Sequence, residues 1–298
     1  MYKRFFCLTF LGVFTLLLFY SCKSPHWGKS IVQPCTIPLD SNSIHLISSD
    51  EYLWDTGCVY SLLLDADSLD TTFRTVSHRL LSDANGRLKR GKLYMHAQIK
   101  VGALEIDHAV FAHLPLKAIP EQVVHQYFPK GIIGMNIISS ANWFFNLDQN
   151  SLSVYPPDSI PSFLKEQKTI ELHYSNPKQP TVKLSIHGKE FKVMIDTGSN
   201  TYLSLTAKNI RRLNKVLTPS KIESEELMSL FDKRKPTQVY YYDEAQINHL
   251  KVYPLIVLES KFNHLGMGFF HQFQSFFIDT QNQVIYLFPK SILTLQTE

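Results

Sequence analysis

The chain has 298 residues, 44% of them hydrophobic, and a formal charge of +4. That is long enough for two domains with proper cores and too apolar for a disordered chain. The charge is small and no dense basic stretch is interleaved with aromatics, so nucleic-acid binding has no support; Asp232-Lys233-Arg234-Lys235 reads as a solvated loop.

Residues 1–22 read as a targeting segment. Lys3 and Arg4 form a basic start, Phe5 to Tyr20 is almost wholly apolar, and Ser21-Cys22 closes the run. This is the layout of a secretory signal, and it is short for a membrane span. Loss of Lys3 and Arg4 with it takes the charge from +4 to 4 − 2 = +2. Cys22 stands where the segment resembles a bacterial lipoprotein signal, in which the cysteine becomes the lipidated mature N-terminus. Phe19-Tyr20-Ser21 depart from the tightest form of that pattern, and plain secretion is the alternative. The resemblance implies a membrane-anchored envelope protein, and the absence of an acidic run after Cys22 favours the periplasmic side. Residues 23–43, polar and proline-containing, then form a tether. Cys7 leaves with the signal. Cys35 and Cys58 remain, and the buried turn expected around Cys58 argues against a disulfide between them.

Further along the chain the pattern is mainly β. A short hairpin, Ile44–Ile47 into Glu51–Trp54, leads to Asp55-Thr56-Gly57-Cys58. Asn85-Gly86 is a tight-turn signal ahead of a Tyr94–Val101 strand, and its hairpin is either a flap or an ordinary surface loop. Alternating runs follow at Leu104–Phe111 and Trp143–Tyr155. Pro156-Pro157-Asp158-Ser159-Ile160-Pro161 opens a linker over residues 156–167. Val182–Ile186, a His187-Gly188-Lys189 turn and Glu190–Ile195 form a cleaner hairpin, and it ends on Asp196-Thr197-Gly198-Ser199. Thr206 caps a helix through Ala207–Leu213, and Glu223–Phe231 is a second helical candidate. No second Asn-Gly signal follows, so a flap would be one-sided. No CxxC or His-rich spacing points to zinc, and His264 and His271 read as surface histidines.

Asp-Thr-Gly thus occurs twice, each time at the end of an apolar run. At ordinary residue usage a given tripeptide appears roughly 0.05–0.1 times in a chain of this length, so two copies need an explanation. The flanks supply one. Ala97-Gln98-Ile99 is matched by Ala245-Gln246-Ile247, and Leu104–Phe111 by Leu250–Val257. Gly131–Ile138 is matched by Leu265–Phe270, and the run around Asp148 by that around Asp279. The offsets are 141 at Asp55/Asp196, 148 at Ala97/Ala245, 132 at Gly134/Gly266 and 131 at Asp148/Asp279. Preserved order with drifting offsets is what loop insertions in two related lobes produce. The lobes run over 44–155 and 168–289.

The hydrophobic-Asp-Thr-Gly-small motif and the hydrophobic-hydrophobic-Gly block Ile132-Ile133-Gly134 resemble those of aspartic peptidases of the pepsin and retropepsin type. The second block departs, reading His264-Leu265-Gly266. The resemblance implies a single-chain pseudo-dimer of retropepsin-like (acid protease) β-barrel lobes around a central cleft, monomeric, with a polypeptide as substrate. It implies that Asp55 and Asp196 share one proton and one water and hydrolyse a peptide bond with no metal or cofactor. Thr56 and Thr197 lock the two turns, Gly57 and Gly198 admit backbone amides, and Ser199 hydrogen-bonds a carboxylate oxygen. Cys58, a poorer donor, makes the two aspartates inequivalent. The alternative is a bilobal envelope lipoprotein that binds peptides or a partner without catalysis.

Overall fold

The computed structural model of the chain describes residues 31–39, 48–49, 52–64, 74–82, 88–113, 130–229 and 232–290. The targeting segment with Cys22, the Ile44–Ile47 strand and the Asn85-Gly86 turn lie outside the described residues. The fold is mainly β. Its first strands are β1 (Ile31–Val32), β2 (Cys35–Pro38), β3 (Ser48–Ser49), β4 (Tyr52–Trp54), β5 (Ser61–Leu63), β6 (Arg74–Ser82), β7 (Leu88–Val101), β8 (Leu104–His113), β9 (Gly131–Ile133), β10 (Asn142–Asn146) and β11 (Ser151–Tyr155). The second half continues with β12 (Ile170–Ser175), β13 (Thr181–Ile186), β14 (Lys189–Asp196), β15 (Leu203–Leu205), β16 (Lys221–Ser229) and β17 (Asp232–Tyr242). It closes with β18 (Ala245–Ile247), β19 (Leu250–Val252), β20 (Leu255–Glu259), β21 (His264–Gly266), β22 (Phe273–Asp279) and β23 (Val284–Pro289). Among these residues no helix is long and apolar enough to cross a membrane.

Strand pairing repeats between the halves. In the first, β9 lies parallel to β4 and antiparallel to β5, with Trp54 opposite Ile133 and Leu62 opposite Ile132. In the second, β21 lies parallel to β14 and antiparallel to β15, with Ile195 opposite Leu265 and Ser204 opposite His264. Each inserted strand runs into a one-turn helix, Met135–Ile138 or Met267–Phe270. The turn after each aspartate is stitched to that helix by the same bond: Met135 N–H donates to Cys58 O at 2.8 Å, and Met267 N–H to Ser199 O at 2.7 Å.

The halves share one sheet, in the order β2-β11-β10-β22-β23-β12 inward from one edge. β10 and β22 pair antiparallel, with Phe145 directly opposite Phe276. These two residues are 131 apart in sequence, the offset that separates Asp148 from Asp279. Equivalent residues of the two halves therefore face each other, and a local twofold passes between them. Their rings stack at 4.6 Å with 17° between planes, and both are fully buried. Phe145→Ala should cost about 3–5 kcal/mol of stability, the usual loss for emptying a buried aromatic site. Urea unfolding would measure it, and a loss under about 1 kcal/mol, the size of a conservative core swap, would show that the junction is slack.

Several expectations need correction. Residues 31–38, read as part of the tether, supply β1 and β2. Ile37 is fully buried, and β2 pairs with β11 along Cys35–Pro38. That partner strand lies more than a hundred residues downstream, so no local pattern reveals it. Of the Glu223–Phe231 helix, the described residues Glu223–Ser229 belong instead to β16, paired with β17 from Lys221 opposite Tyr241 onward. The stretch offers no continuous apolar helical stripe, and backbone pairing with a long neighbour prevails over its local propensity. The resulting β16–β17 hairpin is the counterpart of β6–β7, so long hairpins occur in both halves rather than one. The Ala207–Leu213 helix forms as read, with the Thr206 side chain accepting from Asn209 N–H. The 156–167 linker is held down: the Asn142 amide donates to Pro157 O at 3.0 Å and Ser159 O at 3.1 Å, and Leu164 packs on Phe277 and Phe288.

Candidate active site

Apolar strands deliver the two Asp-Thr-Gly turns. Tyr52-Leu53-Trp54 is buried throughout, and Phe191, Val193 and Ile195 are the buried side of β14. Each strand is pinned by its inserted neighbour, for example by Asp55 N–H donating to Ile133 O at 2.9 Å. The chain then leaves the sheet, after Trp54 in the first half and with Asp196 itself as the last residue of β14 in the second.

Four hydrogen bonds join the turns to each other. Thr56 N–H donates to Thr197 Oγ1 at 3.0 Å, and Thr197 N–H to Thr56 Oγ1 at 3.1 Å. The hydroxyls themselves donate onward, Thr56 to Ile195 O at 2.9 Å and Thr197 to Trp54 O at 2.7 Å. Each hydroxyl thus caps its partner's backbone amide and the strand behind it. Both threonines are buried.

This lattice seats each glycine on the other turn's carboxylate. A Cβ added to Gly57 would stand 2.7 Å from the Asp196 carboxyl carbon, and one on Gly198 would collide with the Asp55 carboxyl. No side chain fits at either place, which explains glycine without any appeal to backbone freedom. The Asp55 and Asp196 carboxyls lie within hydrogen-bonding reach of each other. Both residues are half-buried.

Burial, and next the neighbouring Asp196 charge, push Asp55 well above the ordinary carboxylate range. The N–H groups of Gly57 (2.7 Å) and Cys58 (3.1 Å) donate to its Oδ1 and pull the other way. Burial raises Asp196 too, opposed by its bonds to Asp55 and to Gly198 N–H. Two carboxylates this close cannot both ionise, so the pair titrates as a unit and holds one proton between its two losses. It then presents a carboxylate and a carboxylic acid side by side.

The residues that follow the glycines sit beside the pair but bond elsewhere. Cys58 Sγ donates to Tyr60 O at 2.9 Å, and burial and then the Asp55 charge raise its thiol well above its usual value. Cys35 and Cys58 are both free thiols. Ser199, expected to bond a carboxylate, instead has its hydroxyl 2.9 Å from Thr201 Oγ1 and 3.3 Å from His264 Nε2. His264, read as a surface residue, is only 4% exposed. Sequence reasoning missed it because a histidine in an exposed-looking phrase carries no sign of the parallel pairing that buries β21. Its departure from the hydrophobic-hydrophobic-Gly block was the signal available.

No family model and no curated protein matches the sequence. Among solved structures the chain is weakly similar to that of a retropepsin-like aspartic protease from Rickettsia conorii. The likeness has 16% identity and a TM-score of 0.30, and covers 40% of this chain and 89% of that one.

Proposed function

We propose that the chain is an aspartic endopeptidase with retropepsin-like lobes, in which Asp55 and Asp196 form the catalytic pair. One observation supports this above the others: each turn's glycine rests on the opposite turn's carboxyl, which puts both acids in one partly open place. In this reading a water held between the carboxyls loses a proton to the ionised one as it attacks the peptide carbonyl. The protonated partner donates to the carbonyl oxygen; as the C–N bond breaks, the leaving amine takes the proton gained by the first carboxyl and a hydroxyl of the tetrahedral intermediate returns one to the second, which restores the pair. An extended polypeptide is the substrate, bound in a cleft between the lobes by strand-like backbone pairing. Thr56, Thr197, Gly57 and Gly198 hold the pair in place. Anchoring at the envelope through Cys22 belongs to the same proposal, which metabolic labelling with a fatty acid in wild type and Cys22→Ser would test.

The decisive experiment is cleavage of a peptide library by wild type and Asp196→Asn. Cleavage lost in the variant supports the proposal. Equal behaviour of the two sinks it and favours a peptide-binding protein without catalysis.

A further inference from the structure

We propose that His264 is a positioning residue for the Asp196 half of the pair: through Ser199 and Thr201 it fixes the second turn and makes the two half-sites inequivalent. This rests on the peptidase reading and adds to it a residue outside the Asp-Thr-Gly motif.

The halves differ at this point. His264 occupies the place of Ile132, since both stand two residues before the glycine of their block and both pair across to the following strand, Ile132 to Leu62 and His264 to Ser204. On the Asp55 side the thiol of Cys58 reaches a backbone carbonyl, and the inserted strand presents only aliphatic carbon. On the Asp196 side there is a buried polar knot. Thr201 Oγ1 lies 3.3 Å from His264 Nε2 and 2.9 Å from Ser199 Oγ, and Ser204 Oγ donates to it at 3.2 Å. Thr201 N–H donates to Ser199 Oγ at 3.4 Å. Ser204 is fully buried.

The Ser199 and Thr201 hydroxyls both lie within hydrogen-bonding distance of Nε2. Burial holds the ring neutral down to about 4, although the Phe262 carbonyl and the Asp55 charge favour the cation. The strands packed on β21 present Met194, Ile195 and Asp196 from β14 and Leu203 and Ser204 from β15, of which Asp196 alone is ionisable. Asp55 is the charged group that acts on the ring, and Asp196 is the other titrating group at this turn.

The route to Asp196 is short. Ser199 N–H donates to Asp196 O at 3.2 Å, and its neighbour Gly198 N–H donates to the Asp196 carboxylate. Loosening Ser199 slackens that second bond, which favours the ionised acid. Without it Asp196 keeps its proton to higher pH, so the acid limb of the activity profile moves upward.

The test compares wild type, His264→Ile, which copies the first half, and His264→Gln, whose amide oxygen can take the hydroxyl bonds. His264→Ile should lower kcat about 10–100-fold, the scale of a small misplacement in an active site, with KM within about twofold. Its acid limb should shift to higher pH, and His264→Gln should recover to within about threefold of wild type on the same scale. Carbon-13 NMR of labelled aspartate gives a readout that needs no cleavage: in His264→Ile one carboxyl of the pair should titrate at higher pH. Ser199→Ala, which leaves β21 untouched, should shift both readouts in the same direction and serves if His264→Ile does not fold. The proposal is overturned if His264→Ile or Ser199→Ala leaves profile and titration as in wild type, or if His264→Gln is as impaired as His264→Ile. A wild type that cleaves nothing counts against the peptidase reading, and the NMR titration then decides the role of His264 alone.

Discussion

Asp196→Asn is expected to lower peptide hydrolysis about 10²–10⁴-fold, the range for removing a positioned acid–base group, and at the same time to stabilise the fold at neutral pH. The second effect follows from the first observation about the pair. Both carboxyls are raised above their ordinary value of 3.8, chiefly by burial. A carboxyl whose folded pKa exceeds its unfolded one binds its proton more tightly when folded. Its favourable contribution is therefore full on the acid side of 3.8 and is lost as pH rises through the raised value. This is opposite in sign to an aspartate in a salt bridge. Asparagine keeps the shape, accepts from Gly198 N–H and donates to Asp55, and brings no second charge. Thermal melts across pH 4–7 should show the variant gaining on wild type as pH rises, with the difference levelling off once the wild-type pair has ionised. An unchanged cleavage rate would remove the catalytic role. A stability difference that does not vary with pH would remove the shared proton.

What the sequence discloses about this site divides along physical lines. Asp55, Asp196 and their threonines and glycines were legible because a turn that must accept another backbone tolerates few residue types, and the phrase recurs. Ser199 was placed but given the wrong partner. One residue more separates the second aspartate from its next strand: Leu62 pairs with Ile132, whereas Ser204 pairs with His264, so the offset grows from 141 at the aspartates to 204 − 62 = 142 here. The extra residue falls between Ser199 and Thr201, since Met267 N–H still bonds Ser199 O as Met135 N–H bonds Cys58 O, whereas Gly268 N–H bonds Thr201 O where Asn136 N–H bonds Val59 O. Strand β2 escaped notice for a different reason. It is four residues long, includes a proline, and exists by virtue of β11, with Thr36 bonded to Ser153 across 117 positions. Short edge strands are made by their partners rather than by propensity. β16, nine residues long, differs: its pattern is read as a helix, and pairing with β17 makes it a strand.

Thr197→Val should destabilise the fold about as much as any single change at the site. Valine matches the shape of threonine, so the loss is confined to the hydroxyl. Removing it leaves Thr56 N–H without its acceptor and Trp54 O without its donor, both in a buried place. At about 1–3 kcal/mol for each buried group left unpaired, the expected loss is about 2–6 kcal/mol. Thr56→Val removes the mirror pair of bonds, to Thr197 N–H and Ile195 O, and should cost a similar amount. The double variant should lose less than the sum, because four bonds close a single junction and the second hydroxyl has little left to hold once the first is gone. Urea unfolding of the four proteins completes the cycle. The same junction sets how each glycine meets the facing carboxyl, so the single variants should lose kcat with little change in KM. Values within about 0.5 kcal/mol of wild type, as for an ordinary surface change, would mean that the turns are held together by the β10–β22 pairing alone. Strict additivity would mean that the two hydroxyls act on separate parts of the interface. Either result would undo the link drawn between the threonine lattice and the proton shared by Asp55 and Asp196.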